Sequence, residues 1–261
     1  MPVSYFPDWD SFEITAPAGD CPVAFCGDLS PASVLGAYRH GIVPLPAGNE
    51  YSRDVNEFRY EEELAAGLIG VVGGTADDPY LATWWCPDPR PVIGVGAVHL
   101  GRNARKQLRR TDMWTTANRS FQQVAEQCRA GREPRWLTDT LLETMVELHL
   151  QGWAHSIEVW QDDDLIGGAL GVGIGRVLSG DSIFSRHADA GRVAVADMAT
   201  RFAEAGGLTI DAQWDSQFLR SLGAHMLPRE DYLRSLAAAP AERAVLPEAP
   251  QPARRLLPPF P

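Results

Sequence analysis

Five basic residues between positions 102 and 110 form the most unusual local pattern in the chain. They are Arg102, Arg105, Lys106, Arg109 and Arg110, and no acidic residue stands among them. Their spacing places all five on one face if the segment is helical. Because like charges on one face repel each other, a bound polyanion would relieve the repulsion and release counterions. The pattern favours a local anion-binding surface, and a solvated helix face without a ligand is the alternative.

Carboxylate and amide side chains stand at the ends of two predicted strands. Asp181 and Ser182 lie where a predicted β-meander ends, and Asp211 and Gln213 end a short strand that begins at Leu208. Strand ends that carry such groups often hold ligands. An aspartate beside a glutamine can accept a proton or orient an amine through the amide. Each aspartate could instead cap nearby backbone N–H groups.

Tryptophans stand beside prolines and arginines at two places, in Trp84-Trp85-Cys86-Pro87-Asp88-Pro89-Arg90 and at Trp136. An exposed tryptophan next to an arginine can stack on a nucleobase, whereas a buried one fills the core. The glycines between 167 and 175 do not open a helix after a strand, so they do not fit a dinucleotide-binding loop, and we interpret them as hairpin turns. The four cysteines form no CxxC pair and the six histidines show no metal-ligand spacing, so we predict no metal site.

The composition limits the class of protein. The chain has 261 residues, 45% of them hydrophobic, which is enough for a sizeable core in one or two domains. Its net charge of −11 excludes a generic nucleic-acid binder, so any nucleic acid must meet a local basic surface. No apolar run is long enough for a transmembrane helix, and the N-terminus lacks the features of a secretory signal. We expect a cytoplasmic monomer.

Hydrophobic periodicity positions these groups on regular elements. It predicts helices at about 30–41, 121–128, 141–148, 190–205, 215–222 and 229–237, a three-stranded meander at about 156–184 and a strand at 208–211. Helices followed by a meander, a helix and a strand indicate an α+β domain. We expect a proline-rich flexible tail at 239–261.

Six motifs then appear in order along residues 22–237, apart from 47–80. They are Phe25-Cys26-Gly27-Asp28-Leu29-Ser30-Pro31, Ala37-Tyr38-Arg39-His40-Gly41-Ile42-Val43-Pro44, the Trp84–Arg90 motif, Ala154-His155-Ser156-Ile157-Glu158-Val159-Trp160, Gly180-Asp181-Ser182-Ile183-Phe184-Ser185-Arg186 and Ser221-Leu222-Gly223-Ala224. Together they resemble the bacterial leucyl/phenylalanyl-tRNA–protein transferases.

The resemblance implies a small N-terminal domain at 1–90, with an insertion at about 47–80, packed on a GNAT-like, that is, acyltransferase-like, catalytic domain at 91–238. It also implies transfer of leucine or phenylalanine, or methionine, from aminoacyl-tRNA to the N-terminal Arg or Lys of a protein, which marks that protein for N-degron degradation. It implies no metal and no cofactor. The expected partners are the acceptor-arm end of aminoacyl-tRNA and a protein or peptide with a basic N-terminus, with neither DNA nor a membrane.

The same resemblance assigns roles to individual residues. Asp211 and Gln213 would lie nearest the reacting amine, Trp136 would lie against the terminal adenosine, and the five basic residues would hold the tRNA acceptor arm. Asp181, with Ser182 beside it, would meet the cationic acceptor. The apolar pocket for the aminoacyl side chain would be lined by Ala169, Leu178, Ile183, Phe184, Val195, Met198, Phe202 and Ile210.

Several positions depart from the family pattern. Leu45 replaces a tryptophan, Met145 replaces a tyrosine, Asp181 replaces a glutamate, and Gly191-Arg192 replaces a Ser-Lys pair. Two alternatives therefore stay open beside the family activity. One is a paralogue that transfers an aminoacyl group from tRNA to a different amine, such as a small molecule, and the other is a non-catalytic descendant that binds charged tRNA.

Overall fold

The computed structural model describes residues 8–15, 21–73, 78–133, 135–238 and 242–258. The strands are β1 Ala24–Phe25, β2 Val43–Pro46, β3 Gly70–Val71, β4 Ala82–Trp85, β5 Arg90–Gly94, β6 Trp114–Ala117, β7 Ala154–Gln161, β8 Asp164–Ile174, β9 Val177–Ser185, β10 Thr209–Asp211, β11 His225–Leu227 and β12 Gln251–Pro252. The α-helices are α1 Pro31–Arg39, α2 Glu50–Arg59, α3 Glu61–Ala65, α4 Arg102–Arg110, α5 Phe121–Arg129, α6 Asp139–Leu150, α7 Ala190–Glu204, α8 Gln217–Ser221 and α9 Arg229–Ala237. Short 3₁₀ helices cover Pro79–Leu81, Val95–Ala97 and Ala253–Leu256.

The chain divides into two compact units, neither of which is continuous in sequence. Unit 1 comprises Met1–Pro89, Gly131–Leu148 and Pro228–Ala238, and unit 2 comprises Arg90–Ala130, His149–Leu227 and Ala239–Pro261. This division differs from the expected domains at 1–90 and 91–238, because the α6 and α9 segments belong to unit 1. Contacts between residues that are distant in sequence produce this result, and local periodicity does not report them.

Unit 1 is built on a four-stranded sheet in the order β2-β4-β1-β3. Trp84 on β4 is fully buried, and its indole N–H donates to the backbone carbonyl of Cys26 at 2.9 Å. Helix α1 begins where predicted, with Ser30 as the N-cap that accepts from the backbone N–H of Ser33. Thr144 on α6 donates its hydroxyl to the carbonyl of Leu29 at 2.6 Å, which ties α6 into this unit.

Unit 2 is built on an eight-stranded sheet in the order β11-β5-β10-β9-β8-β7-β6-β12. The pair β9–β10 is parallel and the other neighbouring pairs are antiparallel. Helix α7 packs on β7, β8 and β9, and its apolar residues join the main hydrophobic core. The predicted meander and the predicted helix that follows it are confirmed, and so is the α+β class.

The glycines of β8 correct our interpretation of them as turns. Gly167, Gly168, Gly171 and Gly173 lie inside the strand. A Cβ on Gly167 would lie 2.6 Å from the side chain of Ala190 on α7, so the glycine permits close packing of helix on sheet. A Cβ on Gly171 would lie 2.2 Å from the carbonyl oxygen of Ser179 on β9.

The prediction of a flexible tail over 239–261 is wrong for residues 242–258. In this segment β12 pairs with β6 at the edge of the unit 2 sheet, and the side chains of Ala244, Leu246 and Ala253 are buried in the core. Proline at the edge of a sheet is compatible with pairing because its missing N–H can face away from the partner strand. A high proline content therefore does not imply disorder here.

A buried ion pair on α7 holds this C-terminal segment. Arg201 and Asp197 are both fully buried, with 2.6 Å between Nε and Oδ2. The Arg201 guanidinium also donates to the carbonyl oxygens of Pro247 and Ala249. Arg255 donates to the second oxygen of Asp197 at 2.6 Å. The segment is therefore fixed to α7 by charge as well as by apolar packing.

Within the described residues, no helix is long and apolar enough to cross a bilayer.

Candidate active site

The candidate site lies in unit 2, where β5, β9 and β10 bring polar groups together. Asp211 on β10 stands opposite Ser179 on β9 and Val92 on β5. On the other side of β9, Leu170 pairs with Ser182 and Gly171 pairs with Gly180, so Asp181 has no partner on β8. This is a β-bulge, which interrupts the alternation of side chains along the strand. The bulge lets the side chain of Asp181 approach Gln213, beyond the end of β10.

The Asp211 carboxylate makes a bidentate ion pair with Arg90, the first residue of β5. The guanidinium Nε lies 2.8 Å from Oδ1 and Nη2 lies 2.7 Å from Oδ2, and both side chains are 0% exposed. Two parallel charge-assisted bonds fix both groups in one plane. Direct contact between Asp211 and a substrate amine is therefore not what this geometry favours.

A chain of hydrogen bonds runs from Asp211 to Asp181. The Ser179 hydroxyl donates to Oδ2 of Asp211 at 3.2 Å. The Gln213 amide Nε2 donates to Ser179 Oγ at 2.9 Å and to Asp181 Oδ1 at 2.5 Å. Because both hydrogens of the amide nitrogen are used, the carbonyl oxygen Oε1 remains as the free acceptor of the Gln213 side chain.

The backbone at Gln213 is in the left-handed region, with φ of 58°. A non-glycine residue in this region is uncommon and is often found at functional sites. Here the backbone N–H of Gln213 donates to Asp211 Oδ1 at 2.9 Å, which closes an Asx-type turn. The same carboxylate therefore binds Arg90 and sets the backbone conformation that places the Gln213 side chain.

The predicted pocket residues fall into two groups. Six of them are buried in the main hydrophobic core of unit 2, namely Ala169, Leu178, Val195, Met198, Phe202 and Ile210. Ile183 packs against this core while partly exposed, and Phe184 is buried beside Gly168. Ser182 is buried, and its hydroxyl has no hydrogen-bond partner among the described residues. The role of these residues in binding an aminoacyl side chain stays a prediction.

The basic residues between 102 and 110 do lie on a helix, which is the condition under which their spacing places them on one face. Ala104 and Leu108 are the buried residues of α4, and the basic residues occupy the face turned away from the core. Arg102, Arg105, Lys106 and Arg110 make no ion pair with any acidic residue that the structure describes. We call the five basic residues the α4 basic face.

Trp136 lies in unit 1, whereas Asp181, Asp211 and Gln213 lie in unit 2. It is half-buried and stands in the loop before α6. Its predicted contact with a terminal adenosine stays a prediction.

Two further titratable residues are buried on β7. His155 Nδ1 lies 3.3 Å from the Asn118 amide nitrogen, and burial lowers the pKa of His155 to about 4. Burial raises the pKa of the Glu158 carboxyl, although hydrogen bonds from Ser156 and Thr116 oppose the shift. The neutral imidazole of His155 is therefore favoured in the folded protein, and burial shifts Glu158 toward its neutral form.

Sequence reasoning missed Arg90 and Ser179. Arg90 ends the Trp84–Arg90 motif, and the sequence pattern singles it out only as a neighbour of the tryptophans. A fully buried arginine is rare because charged side chains are costly to bury without a partner. Its partner Asp211 is 121 residues away, so the pair is visible only in three dimensions.

No cluster of three or more potential metal ligands is present in the part of the chain that the structure describes.

Comparison with known proteins identifies the family. The family model described as leucyl/phenylalanyl-tRNA protein transferase matches residues 92–237, more than half of the chain. A leucyl/phenylalanyl-tRNA–protein transferase of Chromohalobacter salexigens is 36% identical over 230 residues, which is 86% of this chain and 78% of the relative. One of Tolumonas auensis is 33% identical over 89% of this chain and 87% of the relative.

The chain belongs to the leucyl/phenylalanyl-tRNA–protein transferase family. As a member of this family it is an aminoacyltransferase, which confirms the resemblance seen in the six motifs. A solved structure of a GCN5-related N-acetyltransferase from Kribbella flavida is also similar, over 54% of this chain and 55% of that chain. Its sequence identity is 10% and its TM-score is 0.35, and no inference about the reaction follows from a likeness of that size.

Proposed function

We propose that this chain transfers a leucyl, phenylalanyl or methionyl group from its tRNA to the α-amine of an N-terminal Arg or Lys of a protein. The product would be a protein marked for degradation by the N-degron pathway. The proposal is supported by family membership together with the hydrogen-bonded network of Arg90, Asp211, Ser179, Gln213 and Asp181 in unit 2.

The reaction is the aminolysis of an ester. The neutral amine nitrogen attacks the carbonyl carbon of the aminoacyl ester, a C–N bond forms, and the bond between this carbon and the ribose oxygen breaks. The nitrogen loses one proton and the ribose oxygen gains one, so the products are an amide and a tRNA with a free terminal hydroxyl. Because an ester is more activated than an amide, the enzyme needs mainly to orient the two reactants.

In the proposed arrangement Gln213 and Asp181 contact the acceptor. The free carbonyl oxygen of Gln213 accepts a hydrogen bond from the amine, which holds the nitrogen with its lone pair toward the ester. Asp181 is half-buried and carries the negative charge that attracts the cationic acceptor. Asp211 acts indirectly, since its own oxygens are bonded to Arg90, Ser179 and the Gln213 backbone.

The donor would be held by three further features. The α4 basic face would bind the phosphates of the acceptor arm, which is how a protein of net charge −11 can bind RNA locally. Trp136 would stack on the terminal adenosine. The apolar residues around Ile183 and Phe184 would receive the aminoacyl side chain.

The observation that carries the proposal is the orientation of the buried Gln213 side chain, whose amide nitrogen donates to Ser179 and Asp181 and whose carbonyl oxygen is left as the acceptor. The direct test incubates the protein with Leu-tRNA, Phe-tRNA or Met-tRNA and a peptide that begins with Arg, and mass spectrometry measures the aminoacylated peptide. A peptide that begins with Glu is the matched acceptor control. We expect product with the Arg peptide alone, and a fall in kcat of about 100-fold in Gln213→Ala.

Absence of any aminoacylated peptide, with each charged tRNA supplied in turn, would contradict the proposed acceptor. If charged tRNA were then consumed in the presence of small amines, the small-molecule alternative would replace it. If charged tRNA bound without being consumed, a non-catalytic role would replace it.

A further inference from the structure

We infer that Arg90 is a positioning residue that acts through Asp211 and Ser179. It determines which end of the Gln213 amide, the nitrogen Nε2 or the oxygen Oε1, is presented to the substrate. This inference rests on the proposed function, because it concerns the acceptor oxygen that the amide presents to the amine. It assigns a role in the reaction to a side chain that is fully buried and does not contact substrate.

The first step is the effect of Arg90 on Asp211. A guanidinium cannot be deprotonated in a protein and offers only donors. Two of its N–H groups bind the two oxygens of Asp211 at 2.8 and 2.7 Å, so this carboxylate is held as an ionised group that can only accept. An isolated carboxylate at a site with no solvent exposure would instead favour its protonated form, which can also donate.

The second step is the direction of the Ser179 hydroxyl. A serine hydroxyl has one hydrogen and can accept through its lone pairs. Since Asp211 only accepts, the hydrogen of Ser179 points to Oδ2, at 3.2 Å. The oxygen of Ser179 is then available only as an acceptor for its other neighbour, the Gln213 side chain.

The third step is the orientation of the amide. The side-chain group of Gln213 that lies 2.9 Å from Ser179 Oγ must be the donor Nε2, and its second hydrogen reaches Asp181 at 2.5 Å. Both interactions demand the same end of the amide, so the opposite end, the carbonyl oxygen, is the one left for a substrate. The positive charge of Arg90 therefore fixes which group donates and which accepts in each hydrogen bond from Asp211 through Ser179 to Gln213.

Loss of Arg90 would weaken this constraint, because Asp181 alone would then select the donor end of the amide. A protonated Asp211 can donate to Ser179, and the Ser179 hydrogen can then turn toward Gln213 and favour its carbonyl oxygen. The NH₂ group would in that case face the amine and compete for its lone pair, which is the electron pair that must attack the ester. We therefore expect the rate of transfer to fall while binding of the tRNA donor stays the same.

The test compares two pairs of variants, with kcat measured at saturating Leu-tRNA for an Arg peptide and KM measured for the tRNA. Arg90→Lys keeps the positive charge without the bidentate geometry, and Arg90→Met removes the charge. Ser179→Ala removes the relay hydroxyl, and Ser179→Thr keeps it.

We expect kcat to fall about 100-fold in Arg90→Met and about tenfold in Ser179→Ala, the size of effect seen when one positioned hydrogen-bonding group is lost. Partial recovery is expected in Arg90→Lys and Ser179→Thr, with KM for tRNA within about twofold of wild type throughout.

A double-variant cycle separates positioning from a merely structural role. In a Gln213→Ala background there is no amide to orient, so adding Ser179→Ala or Arg90→Lys should not lower kcat further. Arg201→Lys is the matched control, because Arg201 is the other fully buried arginine paired with an aspartate in unit 2. We expect it to lower the unfolding temperature while kcat of the folded enzyme is unchanged.

Three results would overturn the inference. They are a kcat for Ser179→Ala equal to that of wild type, effects of Ser179→Ala and Gln213→Ala that multiply in the double variant, or a fall in kcat for Arg201→Lys as large as for Arg90→Lys. If Arg90→Met does not fold, the Ser179 pair and its cycle decide the matter, since neither substitution leaves a buried charge unpaired. Failure of the wild-type enzyme to aminoacylate the peptide would contradict the proposed function itself, which distinguishes the two failures.

Discussion

Unit 2 contains two fully buried arginine–aspartate pairs that look alike and are built differently. Arg201 and Asp197 are four residues apart on one helix, and the Arg201 guanidinium also binds backbone carbonyls of the C-terminal segment. Arg90 and Asp211 are 121 residues apart on neighbouring strands, and Asp211 binds the side chain of Ser179 and the backbone of Gln213.

The difference shows that burial of an ion pair does not by itself indicate its role. The Arg201 pair is surrounded by backbone carbonyls of the C-terminal segment and of Thr115, and by Arg255, so this pair joins segments of chain. The surroundings of the Arg90 pair are side chains that lead to the half-buried Asp181, so this pair can influence a reaction. Stability measurements should show the two pairs to be similar, and activity measurements should separate them.

The largest expected effect is on stability, and it should be common to both pairs. Asp197→Asn leaves Arg201 and Arg255 without their carboxylate, and Asp211→Asn leaves Arg90 without its own. Removing one partner of a buried pair typically costs about 3–5 kcal/mol of unfolding free energy. Urea unfolding of both variants measures this, and a loss below about 1 kcal/mol in either would break the comparison.

The next effect should appear in Asp211→Asn alone. We expect kcat for transfer to an Arg peptide to fall about 100-fold per folded molecule, which corresponds to about 2.7 kcal/mol of transition-state free energy. Asp197→Asn should keep the wild-type kcat at a temperature where it is folded. Circular dichroism on the same samples gives the folded fraction, and equal kcat values in the two variants would contradict the distinction.

The free energy of unfolding at acid pH includes a contribution from His155. This contribution must be known before the stabilities of the two ion pairs are compared at low pH. The pKa of His155 is about 4 in the folded protein because of burial, and the unfolded chain should titrate near 6.5. Between these two values the unfolded state binds a proton that the folded state does not, so the free energy of unfolding falls as pH falls. At pH 5 the loss is about 2 kcal/mol.

We expect His155→Gln to remove this dependence. Urea unfolding at pH 5 and at pH 7.5 should show a difference that is about 2 kcal/mol smaller in the variant than in wild type. Glu158 acts in the opposite sense, since its raised pKa favours the folded state when protonated, and it is unchanged in both proteins. Identical pH dependence in the two proteins would contradict a neutral buried imidazole.

The smallest expected effect concerns cations that are exposed rather than buried. Arg105→Glu combined with Arg109→Glu on the α4 basic face should raise KM for charged tRNA about tenfold and reduce the salt dependence by about one to two counterions. Arg176→Glu combined with Arg243→Glu, at two exposed sites elsewhere in unit 2, makes the same change in net charge and is the control. An unchanged KM in the α4 variant would count against tRNA docking on this face.

The sequence predicted the local elements of unit 2 well. Helices α5 and α7 follow a hydrophobic period of 3.6, and this signal is local because it lies within one or two turns of the chain. The ends of predicted strands, together with the family resemblance, also directed attention to Asp181, Asp211 and Gln213, which the structure brings into one network.

The parts that sequence did not predict depend on distant contacts. The partner of Asp211 lies on β5, and the bulge at Asp181 depends on the register between β8 and β9. The segment 242–258 was expected to be flexible from its prolines, whereas two residues of strand pairing and a few buried side chains are enough to fix it. The composition of a segment indicates how much apolar surface it can bury by itself. It does not indicate the strand pairing and packing that a neighbouring sheet provides.

The short strand β12 has a consequence for the behaviour of the protein at high concentration. Gln251 and Pro252 cover the edge of the eight-stranded sheet at β6, where Thr115 and Trp114 would otherwise present a pairing surface. Proline has no N–H to donate, so the outer side of β12 is a poor template for a strand from another molecule. The C-terminal segment thus disfavours amyloid-like extension of this sheet. Removing residues 251–261, which include β12, should promote aggregation.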